Sequence, residues 1–443
     1  MSEREGSPLN PHSETSAYGR WPVPPRSLAV IFTLALGMRL LAVWSFVSNR
    51  GRYWLFSHPY EMGLVANSLI HGHGYSSPFG GSTGPTAIVA PGYPTLIAVV
   101  FLAFGSDTFA SALVIMGLHI LIGLVTIWLM MHVARELFDQ RTAIVAGAFW
   151  AVSLPLLWIP TIFWETSISA CAFVGMVALA IRCRREPTMT TWILLGASGA
   201  IAALINPALL PSLVAIMGWV AWETRHVART AAAIGFLTLL LVYAPWPIRN
   251  ALRFHAFIPM RSTVGLEMYM GNRPGATGRL DESVLPMANP QEFKNFVAMG
   301  EIAYTHNRSV EASEYIRAHP LIFLKLSARR VYRFWSGTGN VDGSPFYGFH
   351  AGLTAMFGFA GVALIYRKRM RATAALIALP LLLFPFPYYI THAEFRYRLN
   401  IDALLTIPAA YAVTQLAAAL SHRKAAKQAA GAAKPTLAGS SLK

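Results

Sequence analysis

Ten apolar runs, separated by short polar connections, constrain this chain more than any other feature. They cover residues 28–47, 110–132, 142–158, 162–181, 192–205, 208–222, 231–246, 351–366, 372–390 and 401–419. A transmembrane helix needs about 20 predominantly apolar residues, with a range of roughly 17–25. Composition agrees with a membrane protein: 55% of residues are hydrophobic and 13% charged, against about 25% charged in an average globular domain. In hydrocarbon every backbone polar group needs an internal partner, so the spans must be helices. The expected fold class is therefore all-α, a polytopic bundle of about ten transmembrane helices. An eleventh apolar run, 91–105, is short and is expected to lie along the surface.

The placement of charge orients the bundle. The formal net charge is +16, but the cations fall at the ends of apolar runs, as topology signals do. That argues against a nucleic-acid partner and for membrane lipids. Arg135 and Arg141, then Arg182, Arg184 and Arg185, then Arg225 and Arg229, then Arg367, Lys368, Arg369 and Arg371 all occupy alternate connections. The connections around Pro155–Pro160 and Asn206–Pro207 carry no Lys or Arg. With ten spans both termini are cytoplasmic. The division expected is a cytoplasmic tail at 1–26 and a transmembrane catalytic region at 27–246, whose first outer loop is 48–109. An outer, periplasmic loop domain at 247–347 follows, then C-terminal transmembrane helices at 348–420. A cytoplasmic, disordered tail at 421–443, Ala/Lys-rich from Ala425, ends the chain. The first apolar run reads as an uncleaved anchor. Cys171 and Cys183 form no disulfide framework or metal spacing.

Three polar spots fall on one side in this topology. Glu61 opens a helical stretch in the Gly-, Pro- and Ser-rich first loop. Glu165 sits in W-E-T at the edge of a span, where a carboxylate is costly and marks function. The third spot, T-H-A-E-F-R-Y-R at 391–398, places Arg396 and Arg398 in a short outer connection that ordinarily avoids Lys and Arg. Arginine suits bidentate phosphate recognition. Arg249, just after the seventh span, adds a cation on the same side. His71, His73 and His392 form no i, i+4 pair with a carboxylate, so the pattern supports no metal site; no cofactor is certain, and a divalent cation is left open without support. Within 247–347, residues 292–299 and 304–317 read as helical. Residues 321–335 have the amphipathic spacing of a helix lying on a membrane surface.

Several motifs resemble a known family in order and spacing. They are E-x-x-x-V-A-x-S-L-x-x-G-x-G-Y from Glu61, G-P-T-A from Gly84, A-P-G-Y-P-T-L-I-A from Ala90, P-W-P-I-R-N at 245–250, G-N-R-P-G-A-T-G at 271–278 and H-A-E-F-R-Y-R at 392–398. Together they resemble the GT-C superfamily of membrane glycosyltransferases, in the branch of protein O-mannosyltransferases and lipid A aminoarabinose transferases. The resemblance implies a GT-C-type bundle with interfacial helices in the first outer loop and one long outer loop. It implies an inner-membrane enzyme that takes a sugar from a polyprenyl-phosphate carrier and hands it to an envelope acceptor (lipid, glycan or protein) on the outer face. Glu61 matches the family's first-loop acidic residue, its presumed base, and Glu165 a second acidic residue. The departures are Glu where the family more often has Asp, Met62 where an aromatic is common, and Asn400 and Ala403 where Pro often stands.

The residues carry that chemistry on their own terms. A lipid phosphate leaves with charge that Arg396, Arg398 or Arg249 can stabilise. An acceptor hydroxyl needs a base, Glu61, and a single displacement inverts the anomeric carbon. His392, Glu394 and Tyr93 are the further substrate-binding candidates. The rival class is a transporter or lipid flippase, which ordinarily shows repeats and midplane polar residues; neither is visible here.

Overall fold

The computed structural model describes residues 23–50, 60–338 and 345–432. Most of the N-terminal tail (1–22), part of the first loop (51–59) and the end of the C-terminal tail (433–443) lie outside these. Among the described residues the chain is helical without a sheet. The first half contains α1 (Pro25–Arg50), α2 (Glu61–Ile70), α3 (Gly92–Phe104), α4 (Phe109–Leu137), α5 (Gln140–Val152), α6 (Leu154–Trp158), α7 (Thr166–Arg185), α8 (Met189–Ile205), α9 (Leu210–Glu223) and α10 (Arg229–Tyr243). Next come α11 (Pro245–Phe254), α12 (Val264–Gly271), α13 (Pro290–Met299), α14 (Glu301–Ala318) and α15 (Pro320–Ser336). The last four are α16 (Pro345–Arg367), α17 (Arg371–Leu383), α18 (Phe386–Ile390) and α19 (Phe395–Ala432).

Among the described residues seven helices are long and apolar enough to cross a membrane singly, and a bent pair, Gln140–Val152 with Leu154–Thr161, makes an eighth. Met189–Ile205 and Pro207–Glu223 are shorter apolar helices. Together these account for the ten expected runs, in a multi-pass membrane protein. The run at 91–105 is α3, 13 residues long, short of the length a span needs. Helix starts follow side-chain chemistry: Thr108, Asp139 and Thr188 accept from the backbone N–H three residues on, satisfying donors a helix cannot pair itself. Val30, Trp44, Leu240 and Leu241 stay exposed on the outside, the surface that lipid covers. One expectation is corrected. Residues 425–432 continue α19, because Ala and Lys are strong helix formers.

The bend between α5 and α6 reaches 55°, and it routes the chain to Glu165. Carbonyls freed at such a break need donors. Arg39 of α1, 2% exposed, supplies them, donating to Ala151 O at 3.2 Å and Trp150 O at 3.4 Å. Ser153 Oγ at the break lies 2.8 Å from His350 Nδ1 of α16. His350 Nε2 in turn lies 2.8 Å from Asp402 Oδ2 of α19.

Beyond one end of the bundle the first loop and residues 254–338 share a core. Met62, Val65, Phe79, Ile88 and Tyr93 are buried in one cluster with Leu266, Phe296 and Tyr304. The backbone at 86–88 is clamped on every side. Ala87 N–H donates to Glu301 Oε1 at 2.7 Å, and Ala87 O accepts from Ser262 N–H at 3.0 Å. Thr86 O accepts from Arg249 Nη1 at 2.7 Å and Ile88 O from Arg261 Nε at 2.6 Å.

Candidate active site

Four stretches meet beneath this cap: 60–61, 164–165, 261–267 and 391–397. Glu61 opens α2, and Glu165 is the residue before α7, yet its carboxylate makes no capping bond to that helix. Both carboxylates lie within electrostatic range of the same two cations, Arg396 and Arg261. Arg396 is held in place by aromatics. Its guanidinium sits 3.7 Å above the Trp164 ring centre and 4.9 Å from that of Tyr397, a cation–π arrangement. It donates to Tyr397 Oη at 3.3 Å. Tyr60 packs edge-on to Trp164 at 5.1 Å, and Tyr397 stacks on Tyr388 at 4.6 Å. Among the described residues neither Arg396 nor Arg261 closes to ion-pair distance on a carboxylate.

Glu61 and Glu165 are partly buried and keep some solvent access. Burial raises the Glu61 carboxyl above its ordinary value, offset in part by its own backbone N–H, Arg396 and Arg261, and reinforced by Glu267. Glu165 is raised for the same first cause, against its own N–H and the two arginines. Its Oε2 is buried without a hydrogen-bond partner among the described residues, an unusual state for a carboxylate. Two carboxylates and two guanidinium groups therefore lie within electrostatic range of each other, without an ion-pair contact among the described residues. That arrangement can accept a proton at one point and stabilise an anion at another.

His392 braces the third stretch. It is 2% exposed, its Nε2 lies 2.7 Å from Tyr397 Oη, and its Nδ1 lies 3.1 Å from Glu267 Oε2. Burial lowers its pKa, although Glu267 opposes that. Gly271, at the end of α12, allows the approach of this stretch: a Cβ there would lie 1.7 Å from Thr391 O.

The remaining sequence candidates lie elsewhere. Arg398 is fully buried and its donors are spent inside the bundle. Nε pairs with Asp402 Oδ1 at 3.0 Å, Nη1 donates to Trp335 O at 2.5 Å and Ala351 O at 2.9 Å, and Nη2 to Thr354 Oγ1. The physical reason is that α19 begins at Phe395. Residues two apart on a helix point about 200° apart, so Arg396 meets the site and Arg398 the core. Arg249 binds Thr86 O, Tyr75 O and Asn250 Oδ1, so it clamps the first loop. Glu394 Oε1 accepts from Leu280 N–H at 3.1 Å, and burial raises its pKa. Tyr93 is fully buried, with its hydroxyl 2.7 Å from His119 Nε2 and within electrostatic range of Glu165. No group of three His, Cys, Asp or Glu side chains able to hold a metal comes together among the described residues. Sequence reasoning passed over Arg261, Tyr60, Trp164 and Glu267. Arg261 sits in the long loop, where basic residues carry no topological signal; Trp164 was visible as the neighbour of Glu165.

Comparison with known proteins bears on this arrangement. Residues 88–248, less than half the chain, match the family described as dolichyl-phosphate-mannose-protein mannosyltransferase. No curated protein matches the chain. Among solved structures, the apo oligosaccharyltransferase of Archaeoglobus fulgidus is 15% identical with a TM-score of 0.56, covering 95% of this chain and 53% of that one. The archaeal oligosaccharyltransferase AglB from the same organism, in complex with an inhibitory peptide and a dolichol-phosphate, is 16% identical with a TM-score of 0.52, covering 94% and 52%. This chain thus spans about half the length of the structures it matches. Family and fold neighbours alike are glycosyltransferases.

Proposed function

We propose, from a chain with the membrane-embedded fold of the GT-C glycosyltransferases, that it moves a sugar from a polyprenyl-phosphate donor to an envelope acceptor. The transfer takes place at the outer face of the inner membrane, with the termini cytoplasmic and residues 247–347 outside. One observation carries the reading: Arg396 stacks on Trp164, the neighbour of Glu165, and Tyr60, the neighbour of Glu61, packs on the same ring, so both carboxylates lie in range of one guanidinium. The dolichol-phosphate bound by AglB and the mannosyltransferase match support a lipid-linked donor.

Glu61 takes the proton of the acceptor hydroxyl as its oxygen bonds to the anomeric carbon. The bond from that carbon to the phosphate oxygen breaks, and polyprenyl phosphate leaves. Arg396 and Arg261 stabilise the charge that collects there, so no acid is needed to protonate the leaving group. Glu165 orients the sugar, and Tyr397 and His392 hold Arg396. One displacement inverts the anomeric carbon. Arg398 and Arg249, committed elsewhere, act on the fold alone. The test is purified protein with a polyprenyl-phosphate sugar and an envelope extract. Release of free polyprenyl phosphate with a glycosylated product is expected. Passage of the intact sugar lipid across a proteoliposome without cleavage would identify a flippase instead.

A further inference from the structure

Helix α15 has three distinct faces. Leu326, Arg330 and Phe334, four residues apart, are buried against the protein. Arg330 is spent there, donating to Ile390 O at 3.2 Å, Asn272 Oδ1 at 2.9 Å and Gly271 O. One position round, Lys325, Arg329 and Arg333 repeat the same spacing. Beside them Leu321, Leu324, Val331 and Tyr332 stand exposed. Like charges four apart weaken a helix, and here a loop adds one more cation. Arg333 Nη1 donates to Thr277 O at 2.7 Å, which brings the guanidinium beside the 277–279 loop. Its last residue is Arg279. Burial lowers the Arg333 pKa, and repulsion from Arg279 and Arg329 adds to it. Among the described residues none of the three has a carboxylate at ion-pair distance. Arg279 Nε is buried without a partner. Glu394 lies in range, but it already accepts from Leu280 N–H.

We propose that Arg279, Arg329 and Arg333 form a second anion site, distinct from the Glu61–Arg396 cluster, which takes the phosphate of an anionic lipid. Three mutually repelling guanidinium groups with spare donors need a multivalent acceptor, and a phosphate oxygen set supplies one. The exposed apolar stripe beside them places the site at a hydrocarbon boundary, where an acyl chain follows the headgroup. Free phosphate shares the headgroup chemistry but gains nothing from that stripe.

Delipidated full-length protein, re-supplied with phosphatidylglycerol or phosphatidylcholine and read by native mass spectrometry, tests the site. Wild type should retain phosphatidylglycerol in preference. Arg329→Gln touches no described partner and should lower that retention about fivefold, the worth of one cation facing anionic lipid; Arg329→Lys should restore it. Equal retention of both lipids, or no change in Arg329→Gln combined with Arg279→Gln, would overturn the site. Inorganic phosphate is titrated in parallel. It should leave the lipid bound, and displacement at the lipid's own concentration would overturn the lipid assignment.

Discussion

In the proposed reaction Glu61 takes the proton and Arg396 holds the phosphate, and their variants should separate the two roles. Glu61→Gln keeps size and shape but loses the proton acceptor, so turnover should fall about 10²–10⁴-fold with donor affinity nearly unchanged. Glu165→Gln should cost less, since its proposed role is to orient the sugar and takes no proton. Arg396→Ala should instead weaken donor binding, with partial rescue by Lys, which keeps the charge but not the bidentate fork; unchanged donor affinity would remove Arg396 from the phosphate site. Arg261→Ala should behave alike. A pH profile follows from burial. Both carboxyls are raised above 4.5, and the base works only when ionised, so activity should fall on acidification at a pH above 4.5. The linkage has the opposite sign for the fold, since groups with raised pKa values bind protons more readily when native and so stabilise it as pH falls through that window. An acid limb at or below 4.5 would contradict a buried base.

At the scale of elements, the first turns of α19 serve both the site and the bundle. Arg398→Ala leaves Asp402, fully buried, without its cation, a loss of about 3–5 kcal/mol. Thermal unfolding in detergent should drop sharply for Arg398→Ala and little for Arg396→Ala; equal melting temperatures would contradict the division. This is also where sequence reasoning stopped. The apolar runs were legible because bilayer thickness sets their length, and the helices at 290–318 and 320–336 because periodicity marks them. Glu165 stood out because a carboxylate at a span edge is expensive, and Glu61 as the acidic residue that opens the helical stretch of the first loop. Arg396 and Arg398 read alike, since only the helical start at Phe395 turns them to opposite sides. Arg261 was illegible because its position is set by contacts distant in sequence, with Ile88 O and, through Ser262, Glu301.

For the whole molecule, a bundle carries a cap built from its first loop and residues 254–338, and the site lies where they meet. The orientation proposed puts both termini on the cytoplasmic side. Cysteine labelling should find the two ends of Gly92–Phe104 accessible from the same face; opposite accessibility would make it a span and regroup the polar loops. The reaction proposed for this site is cleavage of a lipid-phosphate sugar with Glu61 as base. Single-turnover transfer by wild type and Glu61→Gln, each saturated with the same polyprenyl-phosphate sugar, tests it most directly. Equal donor occupancy is expected, with a rate about 10²–10⁴-fold lower in the variant. Near-equal rates at equal occupancy would contradict it.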